Sequence, residues 1–342
     1  MKNSTRDRTL NGAGQVVVIT GASAGVGRAT AIAFAKEGAG IGLIARGESG
    51  LDGARREVEA AGGRAVVVVA DVADPAALER AAATIEQELG PVDVWVNNAM
   101  VSVFAPVTEI TPEEFRRVTE VTYLGVVYGT MAALKRMQAR DRGVIIQVGS
   151  ALAFRAIPLQ SAYCGAKHAI KGFTESLRSE LLHDKSNVRI AMVQMPALNT
   201  PQFTWSTSRL PKHPQPVPPI FQPEVAARAI VWASRHERPQ VVVGAPTSLA
   251  ILGEKIAPGL LDRFLAKTNY EAQQIDLPFD PDRPANLWEP VDAVSDRGTH
   301  GPFDDRSSGG SPYFWLTTNR GRLTAAALGG LAAIAPFVRR MR

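Results

Sequence analysis

Three polar side chains in the middle of the chain have the types and spacing that proton transfer to an oxygen atom requires. Tyr163 and Lys167 are four residues apart, which places them on one face of a helix. A phenol with a pKa of about 10 is a poor base at neutral pH, and a neighbouring ammonium is expected to lower that pKa by favouring the phenolate. Ser150, thirteen residues before the tyrosine, can hydrogen-bond a substrate oxygen and hold it against the phenol. Alone, a Tyr-x-x-x-Lys pair is more typical of an ordinary surface helix, so this prediction depends on the elements that position the three residues.

Short apolar segments alternate with longer stretches of helical period from residue 15 onward. The predicted strands are 16–20, 41–45, 65–70, 92–97, 144–148, 190–194 and 241–243. Their nearly continuous hydrophobicity predicts burial on both faces, as in a parallel sheet covered by helices. With right-handed crossovers, this order predicts a Rossmann-type, doubly wound parallel sheet of seven strands with helices on both faces.

Residues at the predicted helix ends agree with this alternation. Asp74 followed by a proline predicts a capped helix that closes at Gly90. Thr111 and Glu114 have the spacing of a capping box, which predicts the start of a long helix running toward Arg140.

The turn between the first strand and the first helix is rich in glycine and suits a phosphate group. It contains Gly21, Ser23, Ala24, Gly25, Val26 and Gly27. A pyrophosphate needs bare backbone amides at a helix N-terminus, and glycine lets it approach without a Cβ in the way. Because the turn follows a buried strand directly and precedes a helix, the pattern predicts a dinucleotide site; the alternative is a purely structural turn.

The residue at the end of the second strand bears on the choice of dinucleotide. An NAD-binding domain usually has a carboxylate there, which holds the ribose hydroxyls, whereas this chain has Arg46. A guanidinium can pair with a 2′-phosphate, so the sequence predicts NADP(H) in preference to NAD(H). Glu48 lies close by, and a solvated loop charge is the other interpretation of Arg46.

Two further motifs follow later strands: Asp71-Val72 after the third, and Asn97-Asn98-Ala99 after the fourth. Together with the glycine turn, Ser150 and the Tyr163 and Lys167 pair, all in this order, they make the chain resemble the classical short-chain dehydrogenase/reductase family. The resemblance covers residues 14–244.

The resemblance implies an enzyme that moves hydride between nicotinamide and a carbonyl or secondary alcohol. Tyr163 would be the proton donor or acceptor, with Ser150 and Lys167 beside it. The implied cofactor contacts are Gly21, Ser23, Ala24, Gly25, Val26, Gly27, Arg46, Asp71, Val72, Asn98, Ala99, Tyr163, Lys167, Pro196 and Thr200. Family members often form homo-oligomers, which we also expect here.

Three positions depart from the family pattern. Met100 stands where a glycine usually follows the Asn-Asn-Ala motif, and Ala197 follows Pro196 in place of glycine. Thr122 stands where an asparagine usually anchors a proton-relay water; its hydroxyl could take that role. A second hypothesis is therefore a dinucleotide-binding scaffold or regulator of weak catalytic activity.

Composition limits the other classes of function. Of 342 residues, 45% are hydrophobic and 21% charged, which suits a globular protein with a large core. The net charge of +5 is matched by five arginines from residue 320 onward, so the body is balanced and no nucleic-acid partner is expected. Cys164 is the only cysteine, and the histidines lack metal-ligand spacing. The polar N-terminus has no signal-peptide pattern, so we expect a cytoplasmic protein.

The predicted organisation is an N-terminal arm (1–13), a catalytic domain (14–245) and a C-terminal extension (246–342). Within the domain, the proline-rich segment 201–223 is either a substrate lid or a loop packed on the body. Its aromatic and aliphatic side chains favour a hydrophobic substrate. In the extension, 249–268 has helical period and 275–312 predicts an irregular arm on the body or on a neighbouring subunit.

The apolar tail 323–338 is flanked by arginines and preceded by aromatic residues. It is short for a bilayer core of roughly 30 Å. Two interpretations are open: peripheral membrane contact through 313–342, or a helix docked on the protein's own dimer.

Overall fold

The protein is described here by a computed structural model that covers residues 14–321. Its strands are β1 (Val16–Thr20), β2 (Gly40–Ala45), β3 (Arg64–Val69), β4 (Val94–Asn97), β5 (Val103–Phe104), β6 (Gly143–Ser150), β7 (Val188–Met195), β8 (Thr207–Ser208), β9 (Lys212–Pro214), β10 (Ile220–Phe221), β11 (Gln240–Val242), β12 (Gln274–Pro278) and β13 (Ser307–Ser308). Its α-helices are α1 (Gly25–Ala35), α2 (Glu48–Ala60), α3 (Pro75–Leu89), α4 (Pro112–Thr119), α5 (Gly125–Gln138), α6 (Ser161–His183), α7 (Gln202–Trp205), α8 (Pro223–Arg235), α9 (Ala245–Ile256), α10 (Pro258–Ala272) and α11 (Pro312–Thr318).

Seven strands form one parallel sheet, in the order β3-β2-β1-β4-β6-β7-β11. The predicted Rossmann-type sheet is thereby confirmed. The strand order reverses between β1 and β4, and such a switch point opens a crevice at the carboxyl ends of the strands.

Helices cover both faces of this sheet. Val17 of β1 packs in one core cluster with Phe34 of α1 and Ile230 of α8, and Val18 packs in the opposite cluster with Ile85 of α3. The predicted burial on both faces holds for the central strands. It is wrong for β3, the edge strand, where no residue is buried.

The predicted helix starts are confirmed, but the long helix is interrupted. The Asp74 carboxylate caps α3, and Thr111 and Glu114 form the expected capping box on α4. Between α4 and α5 the chain makes a π-helical turn over Glu120–Leu124, so the single helix predicted to run toward Arg140 is two helices joined by that turn.

The extension lies against the body as two helices followed by an irregular arm. The helical segment predicted over 249–268 is divided at Ala257 into α9 and α10. β12 then pairs with β9, and β13 with β10, so the segment 201–223 is held to the extension on two sides. Between these strands the arm crosses the body, where Leu287 is 1% exposed in the core beside α3 and α5.

No helix within residues 14–321 is both long enough and apolar enough to cross a bilayer. The predicted N-terminal arm 1–13 and the apolar tail 323–338 lie outside the described residues.

Truncating Leu287 should test how firmly the arm is fixed. Leu287→Ala should lower the free energy of unfolding by about 2–5 kcal/mol, because a buried leucine leaves a cavity. The matched control is Leu277→Ala in the same extension, whose side chain is 52% exposed, and which should change stability by less than about 0.5 kcal/mol. Equal effects in denaturant titrations of the two variants would contradict the placement of Leu287.

Candidate active site

The glycine turn after β1 has a shape that larger residues would not allow. Gly21 has a φ of +65°, and a Cβ there would lie 2.8 Å from the Cα of Ala99. A Cβ on Gly27 would collide with the carbonyl of Gly21. No side chain caps the N-terminus of α1 at Ala24. The N–H of Gly25 donates to the carbonyl of Gly298 at 3.3 Å, which leaves the next N–H groups of the first turn for an anion.

The turn is fixed to the end of β4 by reciprocal hydrogen bonds. The hydroxyl of Thr20 accepts from the backbone N–H groups of Asn98 at 3.0 Å and Ala99 at 3.1 Å. The amide of Asn98 donates in turn to the carbonyls of Thr20 at 3.0 Å and Gly21 at 3.1 Å. These bonds hold open the crevice at the switch point of the sheet.

A cavity of about 590 Å³ occupies this crevice. The predicted site residues that line it are Gly21, Ser23, Ala24, Gly25, Val26, Arg46, Asp71, Val72, Asn98, Ala99, Ser150, Tyr163, Lys167, Pro196 and Thr200. Gly27 and Thr122, also predicted, do not line it.

The three residues predicted for acid–base chemistry meet in this cavity. Ser150 is the last residue of β6, and its side chain is hydrogen-bonded to Tyr163 of α6. Lys167, one turn along the same helix, donates from Nζ to the carbonyl of Val148 at 2.8 Å. Its Nζ lies 5.5 Å from the centre of the Tyr163 ring. The geometry therefore joins a hydroxyl, a phenol and an ammonium at the end of β6.

Burial dominates the proton affinities of this group. It raises the pKa of Tyr163 well above the usual value, and the hydrogen bond from Ser150 offsets only part of that rise. Burial also lowers the pKa of Lys167 to about 8. The net shift of the phenol's pKa is therefore upward, with burial as its main cause, and the lowering expected from Lys167 stays a prediction. At neutral pH the phenol keeps its proton and can donate it.

Thr122 has a different role from the one its position suggested. Its side chain is fully buried in the π-helical turn, where the hydroxyl donates to the carbonyl of Val101 at 2.9 Å. The same hydroxyl accepts from the N–H of Val101 at 3.1 Å. Thr122 therefore fixes the loop after β4, and we do not assign a proton relay to it.

Cys164 and the segment 201–223 contribute packing. The Cys164 thiol is buried against the carbonyl of Ile157, and burial raises its pKa to about 11, which makes it unreactive at neutral pH. Phe203 packs with Phe104 and Phe303, and it also lines the cavity together with Trp205. The segment 201–223 is thus packed on the body and forms a cavity wall.

The sequence did not predict that the arm of the C-terminal extension contacts the cavity near the end of β2, away from the phenol. Arg46 donates to the carbonyls of Trp288, at 2.6 Å, and Asn286. Arg117, on α4, donates to the carbonyl of Leu287 at 3.1 Å and pairs with Asp71 at 2.5 Å. Burial would raise the pKa of Asp71, but the Ala73 N–H and Arg117 hold it below its usual value.

These residues fit a nicotinamide dinucleotide. The glycine turn offers a cradle that a Cβ would fill, next to an uncapped helix N-terminus that suits a pyrophosphate. The phenol and ammonium lie in the same cavity as this cradle. The cavity could therefore hold a dinucleotide and a carbonyl substrate together, with the carbonyl oxygen beside the Tyr163 phenol.

A fold of this topology with this set of side chains defines a dehydrogenase or reductase. Residues 15–209 match the family described as short chain dehydrogenase. The chain belongs to this family of oxidoreductases, which act on CH–OH and C=O groups.

Particular relatives extend the comparison beyond the family region. The chain is 35% identical over 323 residues to the "Uncharacterized oxidoreductase YxnA" of Bacillus subtilis (strain 168), covering 93% of this chain and 89% of the relative. It is 34% identical over 236 residues to the 3-dehydrosphinganine reductase of Danio rerio, covering 67% and 70%. A short chain dehydrogenase from Mycobacterium paratuberculosis bound to NAD superposes with a TM-score of 0.60 and 28% identity, over 68% of this chain and 97% of that one.

The lowered pKa of Lys167 predicts that the pH profile of carbonyl reduction has a descending limb on its alkaline side. The kcat/KM should fall as pH rises through about 8, because the ammonium that steadies the phenolate left after proton donation becomes a neutral amine. Lys167→Arg keeps its charge throughout this range, so the limb should vanish from its pH profile even if its rate is lower. The same limb in both proteins would rule out Lys167 as its source.

Proposed function

We propose that this protein reduces a hydrophobic carbonyl, or oxidises the matching secondary alcohol, with Tyr163 as the general acid or base. The observation that carries the proposal is that Ser150, Tyr163 and Lys167 converge in one cavity with the glycine cradle. Family membership supports the reaction class.

The residues divide the work in the reduction direction. Ser150, hydrogen-bonded to the phenol, holds the substrate oxygen beside it. Tyr163, protonated at neutral pH, donates its proton to that oxygen, and the charge of Lys167 steadies the phenolate that remains. A nicotinamide dinucleotide held by the glycine turn would supply the hydride for the carbonyl carbon, and oxidation would reverse both transfers.

The walls of the cavity support a hydrophobic substrate. Leu152 and Ile157, after β6, line it together with Leu249 of α9 and with Leu261 and Phe264 of α10. Such a wall binds aliphatic or aromatic surface and offers little to a sugar.

The same two helices carry exposed apolar side chains. Leu249 and Phe264, which line the cavity, are 67% and 59% exposed, and Leu252 and Ile256 continue this surface on α9. An apolar surface continuous with the cavity suits a long hydrophobic substrate. The similarity to a protein named 3-dehydrosphinganine reductase supports the same class, a long-chain ketone or alcohol.

Arg46 taken alone favours NADP(H), and that preference stays a prediction. A guanidinium has about five N–H donors, and the two carbonyls of the arm leave some of them unused. The solved relative was bound to NAD, so it lends no support to the preference for NADP(H). Homo-oligomer formation and membrane contact through 313–342 also stay predictions.

Replacing the phenol tests the proposed chemistry directly. In Tyr163→Phe, reduction of hydrophobic ketones should fall by about 10²–10⁴-fold, because the proton donor is lost. Dinucleotide binding should remain close to wild type, since the cradle is unchanged. Stopped-flow nicotinamide absorbance gives the rate, and equilibrium titration gives the binding.

Cys164→Ala is the matched control, since it also removes a buried side chain of α6 and should keep full turnover. Full turnover in Tyr163→Phe would refute the assigned role. A wild-type protein that binds dinucleotide yet turns over no member of a broad ketone and aldehyde panel would favour the scaffold hypothesis.

A further inference from the structure

The arm places an acidic side chain inside the cavity at the end of β2. Asp292 is 7% exposed and lines the same cavity as Ser23 and Arg46. Its carboxylate lies against Gly47 and Gly50; a Cβ on Gly50 would stand 2.5 Å from the Asp292 Oδ2 and 3.0 Å from the Cβ of Ser23. The carboxylate is therefore wedged between the glycine turn and the start of α2.

Backbone hydrogen bonds fix the arm in this position. The N–H of Gly50 donates to the carbonyl of Asp292 at 3.0 Å, and the N–H of Ser49 to that of Ala293 at 3.3 Å. These carbonyls satisfy first-turn amides of α2, which has no side-chain cap. Asp292 is thus held by its main chain, and its side chain is not needed to seat the arm.

A second ion pair holds the arm on the other side of Asp292. The guanidinium of Arg28 is 2% exposed, and it pairs with both oxygens of Asp296, at 3.0 Å for Nη2 and Oδ2. The same guanidinium donates to the carbonyl of Ser23 at 3.3 Å and pairs with Glu57. The arm therefore has little freedom to carry Asp292 away from the cavity.

The Asp292 carboxylate has no hydrogen-bond partner among residues 14–321. Burying a carboxylate without partners is unfavourable, and water or a ligand in the cavity must meet it. Its neighbours, the glycine turn and the end of β2, are where a bound dinucleotide places its adenosine ribose.

The charges around Arg46 reduce its electrostatic attraction for a 2′-phosphate. Arg46 is attracted electrostatically to three carboxylates, those of Asp71, Asp292 and Glu289, and is repelled by the guanidinium of Arg117. The two carbonyls of the arm already hold two of its nitrogen atoms. A 2′-phosphate carries roughly two negative charges, and these would lie next to the Asp292 carboxylate.

We infer that Asp292, supplied by the C-terminal extension, accepts hydrogen bonds from the adenosine ribose hydroxyls and discriminates against a 2′-phosphate. It would take the role that a carboxylate at the end of β2 has in NAD-binding domains, from a different part of the chain. The wild-type protein then prefers NAD(H), against the preference that Arg46 alone predicts. The inference rests on the dinucleotide binding proposed above.

Equilibrium binding tests the inference without any turnover. The full chain is titrated calorimetrically with NAD⁺ and NADP⁺, and with the fragments 5′-AMP and 2′,5′-ADP, which differ only in the 2′-phosphate. Wild type should bind NAD⁺ more tightly than NADP⁺. Asp292→Asn keeps the shape and removes the charge, and it should shift the ratio of the two dissociation constants toward NADP⁺ by about tenfold or more. The fragment pair should shift in the same direction.

Two further variants make the result specific. Asp292→Ser should shift the ratio at least as far, because it also makes room for the phosphate. Asp282→Asn removes an exposed carboxylate elsewhere on the arm, and it should leave the ratio unchanged. Thermal melts confirm that each variant is folded.

The outcomes separate this inference from the proposed function. Suppose that both dinucleotides bind and that the ratio of their dissociation constants is the same in wild type and in Asp292→Asn, whether the affinities are unchanged or equally weakened. The assignment of Asp292 is then overturned, while dinucleotide binding stands. If neither dinucleotide binds to wild type, the proposed function and the inference fall together.

Discussion

The site depends on burying an ammonium group, which is unfavourable unless a strong acceptor compensates it. Lys167 finds that acceptor in the carbonyl of Val148, inside the strand that ends at Ser150. This hydrogen bond ties α6 to β6 next to Tyr163, which lies one turn earlier on the helix. The phenol, the serine hydroxyl and the ammonium consequently line one part of the cavity. The same burial keeps the phenol protonated at neutral pH, which is the state that a proton donor needs.

Much of the sheet and of the acid–base group could be predicted from sequence, because local patterns determine them. Strand β1 was predicted to the residue, and the caps at Asp74 and Thr111 follow from hydrogen bonds within one helical turn. The positions of Tyr163 and Lys167 follow from helical periodicity in the same way. Edge exposure of β3 was not predictable, because it depends on which strand lies last in the sheet.

Features that depend on contacts between residues far apart in the sequence could not be predicted from local patterns. Thr122 matches a family position in sequence, yet its hydroxyl is taken by Val101, twenty-one residues earlier. The partners of Arg46 come from a segment about 240 residues further along the chain. One signal could have indicated this contact: glycines recur at every third position from the N-cap of α2, at Gly47, Gly50 and Gly53, and this spacing puts Gly50 and Gly53 on one helix face. Asp292 and Asp296 of the arm pack on that face where side chains would otherwise stand.

The arm joins parts of the molecule that a minimal domain leaves independent. Leu287 is buried in the core beside α3 and α5, Asp292 rests on α2, and Asp296 pairs with Arg28 of α1. If a dinucleotide binds with its adenosine half at this end of the crevice, as proposed above, the arm would lie beside that half. Lifting the arm would break the part-buried ion pair of Arg28 and Asp296 and expose a core leucine. We therefore expect the cofactor's residence time to be governed by the stability of this C-terminal segment, with the nicotinamide half free to react while the other half stays anchored.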